Sequence, residues 1–402
     1  MSTAADVSHV HRVRDAARAL GTSTREQRDA VLRTYARNLR DGAAELIASN
    51  ADDVLRARED GASDAILDRL LLDEQRLADV ADAIEAIADL DDPLAEVVET
   101  RTLSNGLRLQ QVRVPFGVVC VVYEARPNVT ADAGAIAVKT GNGVVLRGSR
   151  QALLTNRHLV EHLRRALEEH GFSEESVWNF PPEDRDAFRE LIATEGSVDL
   201  VIPRGGEELK RFLFEHARVP VLAAAGGNCH VFVDESADRD MARNIVLNAK
   251  THRPGVCNAV ETLLVHEARA HDLLPYLVQE LERAGVDVRT DEAAFDTEFL
   301  DMVIAVGTVR DVDAAIAHIN EHGTKHSEAI VTADEANAAA FVAGVDAAAV
   351  YVNASTRFTD GGVFGMGAEV GISTTKLHAR GPIGLRELTT TKYVVHGDGH
   401  VR

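Results

Sequence analysis

From Phe116 onward the sequence alternates short apolar runs with amphipathic stretches: FGVVCVVYE, ADAGAIAVK, GVVLRGS, LTNRHLVEHLRRALEEH, VDLVIPRGG, EELKRFLFEHA and VPVLAAAGG. Strands separated by helices long enough to cross back over a sheet lie parallel, so this order predicts βαβ units. A second series, AVETLLVH, LDMVIAVG, EAIVTA and AAVYVNAS, predicts a second parallel region. The 402 residues exceed the roughly 250–300 at which a single core stops growing, so two α/β domains are expected.

The start of the chain reads differently. Ser23 and Glu26 stand at capping-box spacing ahead of Val31, Leu32, Tyr35, Leu39, Leu46 and Ile47 at helical intervals, which predicts a helical region continuing through Asp89. In ETRTLSNGLRLQQVRV the Asn105-Gly106 pair predicts a two-residue hairpin. With 64 acidic and 43 basic residues the formal charge is −21, which opposes nucleic-acid and acidic-membrane partners. That acidity fits solubility in concentrated salt as well as an ordinary acidic enzyme. No apolar run reaches the roughly 18 residues of a membrane span, and the first twenty positions lack a signal-peptide core, so a soluble cytoplasmic protein is expected.

Cys120, Cys229 and Cys257 cannot all pair and have no metal-type spacing, which fits a reducing compartment. The run His158 to His162 matches H-x-x-E-H, but no third ligand follows, and a solvated helix face without metal is the expectation. Cys257 follows His252, Arg253, Pro254 and Gly255, after a helix expected over Asn244 to Lys250. A thiol on such a turn, with cations close in sequence, is either apolar filler or an activated nucleophile. Asn128, in EARPNVT, suits an oxyanion donor and a helix cap equally.

The chain contains no GxGxxG. It does carry two turns that join a cation to glycine after a strand, Arg147-Gly148-Ser149-Arg150 and Pro203-Arg204-Gly205-Gly206. Singly these read as plain turns; together they open the possibility of a phosphate-bearing cofactor.

The blocks VPFGVVCVVYEARPNVT, KTGNGVVLRGS, VDLVIPRGG, NAKTHRPGVCNAVETLLV, HINEHGTKHSEAIVT and VYVNASTRFTDGGVFGMGAEVGISTTKLHARGPIGL resemble the gamma-glutamyl phosphate reductases, also called glutamate-5-semialdehyde dehydrogenases, of the aldehyde dehydrogenase superfamily. The resemblance spans nearly the whole chain beyond the amino-terminal helices. It implies NADPH-dependent reduction of L-glutamyl 5-phosphate to glutamate 5-semialdehyde with release of phosphate, in proline biosynthesis. It also implies a coenzyme-binding domain over 1–98 and 114–225, a catalytic domain over 226–384, and an oligomerisation ribbon over 99–113 and 385–402. A homo-oligomer, with glutamate 5-kinase as the upstream enzyme, goes with that reading.

By motif position Cys257 resembles the superfamily's nucleophile and Asn128 its oxyanion asparagine, acting with the Cys257 N–H. Arg147, Gly148, Ser149 and Arg150 stand where NAD-using members carry Lys-Pro-Ser-Glu, a sign reversal that implies NADP(H). Arg204, Gly205 and Gly206 are assigned to the same coenzyme, and Glu298, in TEFLDMV, aligns with the glutamate that holds the nicotinamide ribose. Arg357 falls in the loop that meets the amino-acid end of the substrate, where a carboxylate contact and a plain salt bridge are both open. Ala224, in AAAGGNCH, replaces the glutamate that activates water in ordinary aldehyde dehydrogenases, which favours acyl phosphate chemistry over aldehyde oxidation. A CoA-acylating aldehyde dehydrogenase is the alternative, because it uses the same cysteine and lacks the same base.

Overall fold

The computed structural model describes residues 8–223 and 226–402, so Ala224 lies outside the described residues. The chain forms two units. One comprises Met1–Leu222, Met366–Val370 and Ile383–Arg402, the other Ala223–Gly365 and Gly371–Pro382.

The first unit begins with helices Ser8–Thr22, Arg25–Asp41, Ala43–Glu59, Asp64–Leu70 and Glu74–Asp89. The expected capping box is present one residue later than the sequence predicts. Thr24, in extended backbone, accepts from the Gln27 N–H, and Gln27 returns a bond to the Thr24 N–H. Ser23 is unavailable because its hydroxyl donates to the Leu20 carbonyl at 2.7 Å, closing the preceding helix.

The sheet of this unit is four-stranded and parallel, in the order Val177–Asn179, Gly143–Arg147, Val118–Tyr123, Leu200–Arg204. Val118–Tyr123 is buried along its whole length, as a central strand covered on both faces must be. From it the chain moves outward to Gly143–Arg147 and Val177–Asn179, then returns to its other side for Leu200–Arg204. Such a reversal opens a crevice at the carboxyl ends of adjacent strands, the place where open α/β sheets take ligands. Of the run VPVLAAAGG the described residues add only a bridge between Val201 and Val221, where Pro220 has no N–H to extend the ladder.

Helix Leu153–Glu169 buries Leu159, Val160, His162 and Leu163. The expectation of a solvated face at His158 to His162 is therefore corrected: His162 is buried, and a Cβ on Gly42 would lie 2.5 Å from its ring. The amino end of this helix is capped from outside by Asp53, whose buried carboxylate accepts from the Thr155 N–H at 2.8 Å, the Thr155 hydroxyl at 2.7 Å and the Leu154 N–H at 3.3 Å.

Val97–Thr102 and Arg108–Pro115 form the expected hairpin, but its loop has three residues rather than two. Leu103 and Leu107 close it, and Gly106 takes φ +91°. A left-handed residue ending a three-residue loop is a standard hairpin solution that matches strand twist. Thr389–His396 pairs antiparallel with Arg108–Pro115 to complete a three-stranded sheet.

The second unit holds a six-stranded parallel sheet, in the order Ala349–Val352, Ser327–Val331, Cys229–Val233, Val260–His266, Val303–Val309, Asp287–Arg289. One face packs on helices Arg239–Thr251 and Leu273–Arg283 through Val246, Ala249, Leu277 and Leu281. The other packs on Val312–His322 and Glu335–Gly344 through Ile319 and Phe341. Among the described residues no helix is long and apolar enough to cross a membrane.

The Asp53 cap gives a stability prediction. Asp53→Ala leaves the buried Thr155 N–H and hydroxyl and the partly buried Leu154 N–H without this acceptor and should lower unfolding free energy by about 2–3 kcal/mol, read from urea denaturation.

Candidate active site

Cys257 occupies a tight turn. Helix Arg239–Thr251 ends at His252, and the chain turns through Pro254 and Gly255 before entering strand Val260–His266. The Ala259 N–H bonds back to the Val256 carbonyl at 3.0 Å, so Cys257 and Asn258 sit at the centre of a second turn. Two contacts fix the Cys257 peptide. Cys229 Sγ lies 3.2 Å from the Cys257 carbonyl oxygen. On the same oxygen packs Gly227, where a Cβ would stand 1.4 Å away, a position only glycine can hold.

Asn258 anchors the other side. Its buried amide donates to the Thr359 carbonyl at 2.8 Å and the Arg357 carbonyl at 3.4 Å, and its own carbonyl accepts from Thr356 Oγ1 at 2.7 Å. Thr359 Oγ1 is in turn within 2.6 Å of Ser327 Oγ and 2.7 Å of Tyr351 Oη. The loop bearing Arg357 is thus tied to the residue that follows the thiol. Burial depresses the Arg357 pKa and the nearby Arg253 charge adds to it, opposed by Cys257, so the Arg357 guanidinium lies in the field of the sulfur. Arg357 Nε is buried and meets no hydrogen-bond partner among the described residues.

The three thiols differ sharply. Cys120 and Cys229 are buried while Cys257 is half-buried. Burial pushes the Cys120 thiol up to about 12 and raises Cys229 well above its ordinary value.

Glu298 does not stand isolated on its loop; its carboxylate accepts from the Gly227 N–H at 2.5 Å. Two residues on, Leu300 adopts φ +54°, and its N–H bonds to Glu261 Oε1 at 3.1 Å. Glu261 Oε2 lies 2.7 Å from Lys250 Nζ, and both side chains are fully buried. Burial pushes Glu261 up to about 7 and lowers Lys250. Sequence reasoning misses Lys250, Glu261, Gly227 and Asn258. The available signal is a lysine in phase with Val246 and Ala249 on one helix, and a glutamate inside the apolar strand VETLLVH.

In the first unit, Asn128 is the second residue of helix Pro127–Lys139, exposed, with its amide 3.3 Å from Asp132 Oδ2. The helix-cap reading is overturned, since Arg126 is the cap residue and Pro127 takes the first helical position. Burial raises Asp132 to about 6, against the Asn128 hydrogen bond and the Arg204 charge.

The two glycine turns lie at the same carboxyl edge of the four-stranded sheet, on either side of Val118–Tyr123. Ser149 Oγ and Arg204 Nε are buried atoms that meet no hydrogen-bond partner among the described residues, as expected of groups that await a polar ligand. Gly148 admits no side chain, because a Cβ would lie 2.2 Å from Asn156 Nδ2. Gly205 packs on Glu124 and Leu209, whereas Gly206 faces open space at the start of helix Glu207–His216. A phosphate-bearing group fits this edge. The two guanidinium groups of the first turn are not equally available. Arg147 lies over the Phe188 ring at 4.4 Å and donates to the Pro182 carbonyl at 3.2 Å, which leaves Arg150 as the exposed cation.

These features are those of an aldehyde dehydrogenase: a cysteine on a stapled turn in one α/β unit and a glycine-turn edge without GxGxxG in another. The aldehyde dehydrogenase family model matches residues 1–294 and 284–394, and the chain belongs to this family, whose members use nicotinamide cofactors. Within it the similarity is to one branch. The gamma-glutamyl phosphate reductase of Thermobifida fusca is 49% identical over 405 residues, covering 97% of each chain. That of Bacillus subtilis is 46% identical over 403 residues with the same coverage. The crystal structure of the Thermotoga maritima gamma-glutamyl phosphate reductase superposes with a TM-score of 0.96 at 45% identity, covering 98% of this chain and 99% of that one.

The exposure of the three thiols, with burial raising the pKa of Cys120 and Cys229, predicts their reactivity. Brief iodoacetamide treatment of the folded protein at neutral pH should modify Cys257 alone, with Cys120 and Cys229 labelled only after denaturation, as read by peptide mass mapping.

Proposed function

We infer that the chain reduces L-glutamyl 5-phosphate to L-glutamate 5-semialdehyde with release of phosphate, as a step of proline biosynthesis, and that its coenzyme is NADPH. The observation that carries this reading is the half-buried Cys257 on a turn held from both sides, in a chain alike from end to end to relatives of that name.

In this mechanism the Cys257 thiolate attacks the acyl carbon. The bond to the phosphate oxygen breaks, phosphate leaves with the electron pair, and a thioester remains on the sulfur. Asn128 and the Cys257 N–H are assigned the developing oxyanion, a role that an exposed amide at a helix start can serve. NADPH, when bound, supplies the hydride. Cys257 then recovers its electron pair as the carbon–sulfur bond breaks and the aldehyde departs. Arg357 is assigned the substrate carboxylate, for which an unpartnered Nε is suited.

For the coenzyme, Gly148, Ser149 and Arg150 with Arg204, Gly205 and Gly206 would hold the phosphates, and Arg150 would meet the 2′-phosphate. Arg147 would support that turn from behind through Phe188 and Pro182. Glu298 is assigned to the nicotinamide ribose. We further assign the three-stranded sheet to contacts between copies of the chain, and a cytoplasmic place downstream of glutamate 5-kinase.

The decisive assay is oxidation of glutamate 5-semialdehyde with NADP⁺. It should require inorganic phosphate and proceed without CoA; a requirement for CoA instead of phosphate would identify a CoA-acylating enzyme. Cys257→Ser should retain less than about a hundredth of wild-type turnover with an unchanged melting temperature. Arg150→Glu should raise the KM for NADPH about tenfold or more and that for NADH much less, because it replaces a cation by an anion opposite the 2′-phosphate. Equal effects on both coenzymes would remove Arg150 from that role.

A further inference from the structure

Two fully buried charges 2.7 Å apart, Lys250 and Glu261, are costly to desolvate, and an apolar pair of similar volume would often serve stability as well. Their presence calls for another account, and their contacts lead to the thiol. Lys250 lies on the helix that ends just before the Cys257 turn, and Glu261 on the strand that begins just after it. The pair therefore clamps the two elements between which Cys257 is suspended.

The second carboxylate oxygen of Glu261 reaches further. It holds the N–H of Leu300, a non-glycine residue in left-handed backbone, a conformation that persists only where the surroundings enforce it. That constraint sets the loop on which Glu298 sits two residues earlier. Glu298 accepts from the Gly227 N–H at 2.5 Å, and Gly227 lies against the Cys257 carbonyl with no room for a Cβ.

We propose that Lys250 and Glu261 are positioning residues for the nucleophile, fixing the Cys257 turn directly between helix and strand and indirectly through Leu300, Glu298 and Gly227. Every link lies within the second unit. The physical logic is that of a rigid support behind a reacting atom, where a displacement of about 1 Å can cost about a hundredfold in rate. Glu298, assigned above to the nicotinamide ribose, has one carboxylate oxygen engaged with the backbone beside the thiol. The inference rests on Cys257 being the nucleophile but not on the identity of the substrate.

The test removes the pair as a neutral unit, so that no lone buried charge is left. Lys250→Met with Glu261→Leu deletes the acceptor for the Leu300 N–H; Lys250→Met with Glu261→Gln retains one. The first double variant should lose at least about tenfold in kcat, with KM values for substrate and coenzyme within about threefold. Its rate of Cys257 alkylation by iodoacetamide, measured without substrate, should shift about fivefold or more. The glutamine variant should recover most of both losses. If both variants alkylate and turn over at wild-type rates, whatever their melting temperatures, the pair is structural and the proposal fails. A rise in coenzyme KM alone would equally overturn it. Should the leucine variant not fold, Glu298→Ala, at a half-exposed position, is expected to shift the alkylation rate likewise, and a wild-type rate there also overturns the proposal. Because alkylation needs no substrate, a protein lacking phosphate-dependent activity but showing these shifts would contradict the proposed reaction and leave the positioning role standing.

Discussion

Parallel strand pairing is the constraint on which the rest depends. Neighbouring parallel strands start at one edge of a sheet and finish at the other, so the chain must cross back between them and every like end is gathered on one side. The two units exploit opposite edges. In the first, the carboxyl ends of Gly143–Arg147 and Leu200–Arg204 bring two glycine turns to either side of Val118–Tyr123. In the second, the amino ends of Cys229–Val233, Val260–His266 and Ser327–Val331 gather Gly227, Cys257 to Asn258, and His326. Residues about 30 and 70 positions apart in sequence are brought to one edge by strand pairing alone.

Packing polar groups at that second edge follows from the same geometry. Strand starts leave backbone groups that the ladder does not use, and side chains from adjacent starts are the nearest partners. Asn258 takes the Thr359 carbonyl, and Asn228 takes the carbonyls of Phe295 and His322. The His230 N–H bonds to Glu328, whose burial pushes its carboxyl well above the usual range. A polar layer tied together in this way specifies one arrangement where an apolar layer would tolerate several.

Much of this is legible in the sequence. Alternation of apolar and amphipathic runs points to the parallel sheets, because the two-fold and 3.6-fold periods differ plainly over such lengths. Cys257, Asn128 and the glycine turns stand out because each joins an uncommon residue type to a turn signal. What escapes are short or shared features. Strands Val177–Asn179 and Asp287–Arg289 have three residues each, too few for a period to register. The capping box slips by one because Ser23 and Thr24 are both competent caps, and only the bond from Ser23 to Leu20 decides between them. Lys250 and Glu261 escape because a charge in a sequence reads as exposed until its partner is known, and these two stand eleven residues apart on different elements. The contact of Arg147, at the end of its strand, with Phe188 escapes for a similar reason, since Phe188 lies on the separate helix Arg185–Ala193.

Gly227 and Gly206 look alike as letters, each the second of a Gly-Gly pair, yet they differ in how much change they can absorb. Gly227 abuts the Cys257 carbonyl, so any side chain must displace the backbone that carries the thiol. Gly206 opens a helix with φ −71°, and a Cβ there would meet nothing within 4 Å, so the backbone accommodates a side chain as long as the bond from its N–H to Glu124 is kept. On the glycine-turn edge Gly206 is therefore a place where a side chain displaces no protein atom, although it would enter the space proposed for a coenzyme phosphate, and glycine doublets in this scaffold have to be sorted by their surroundings before they are treated as fixed.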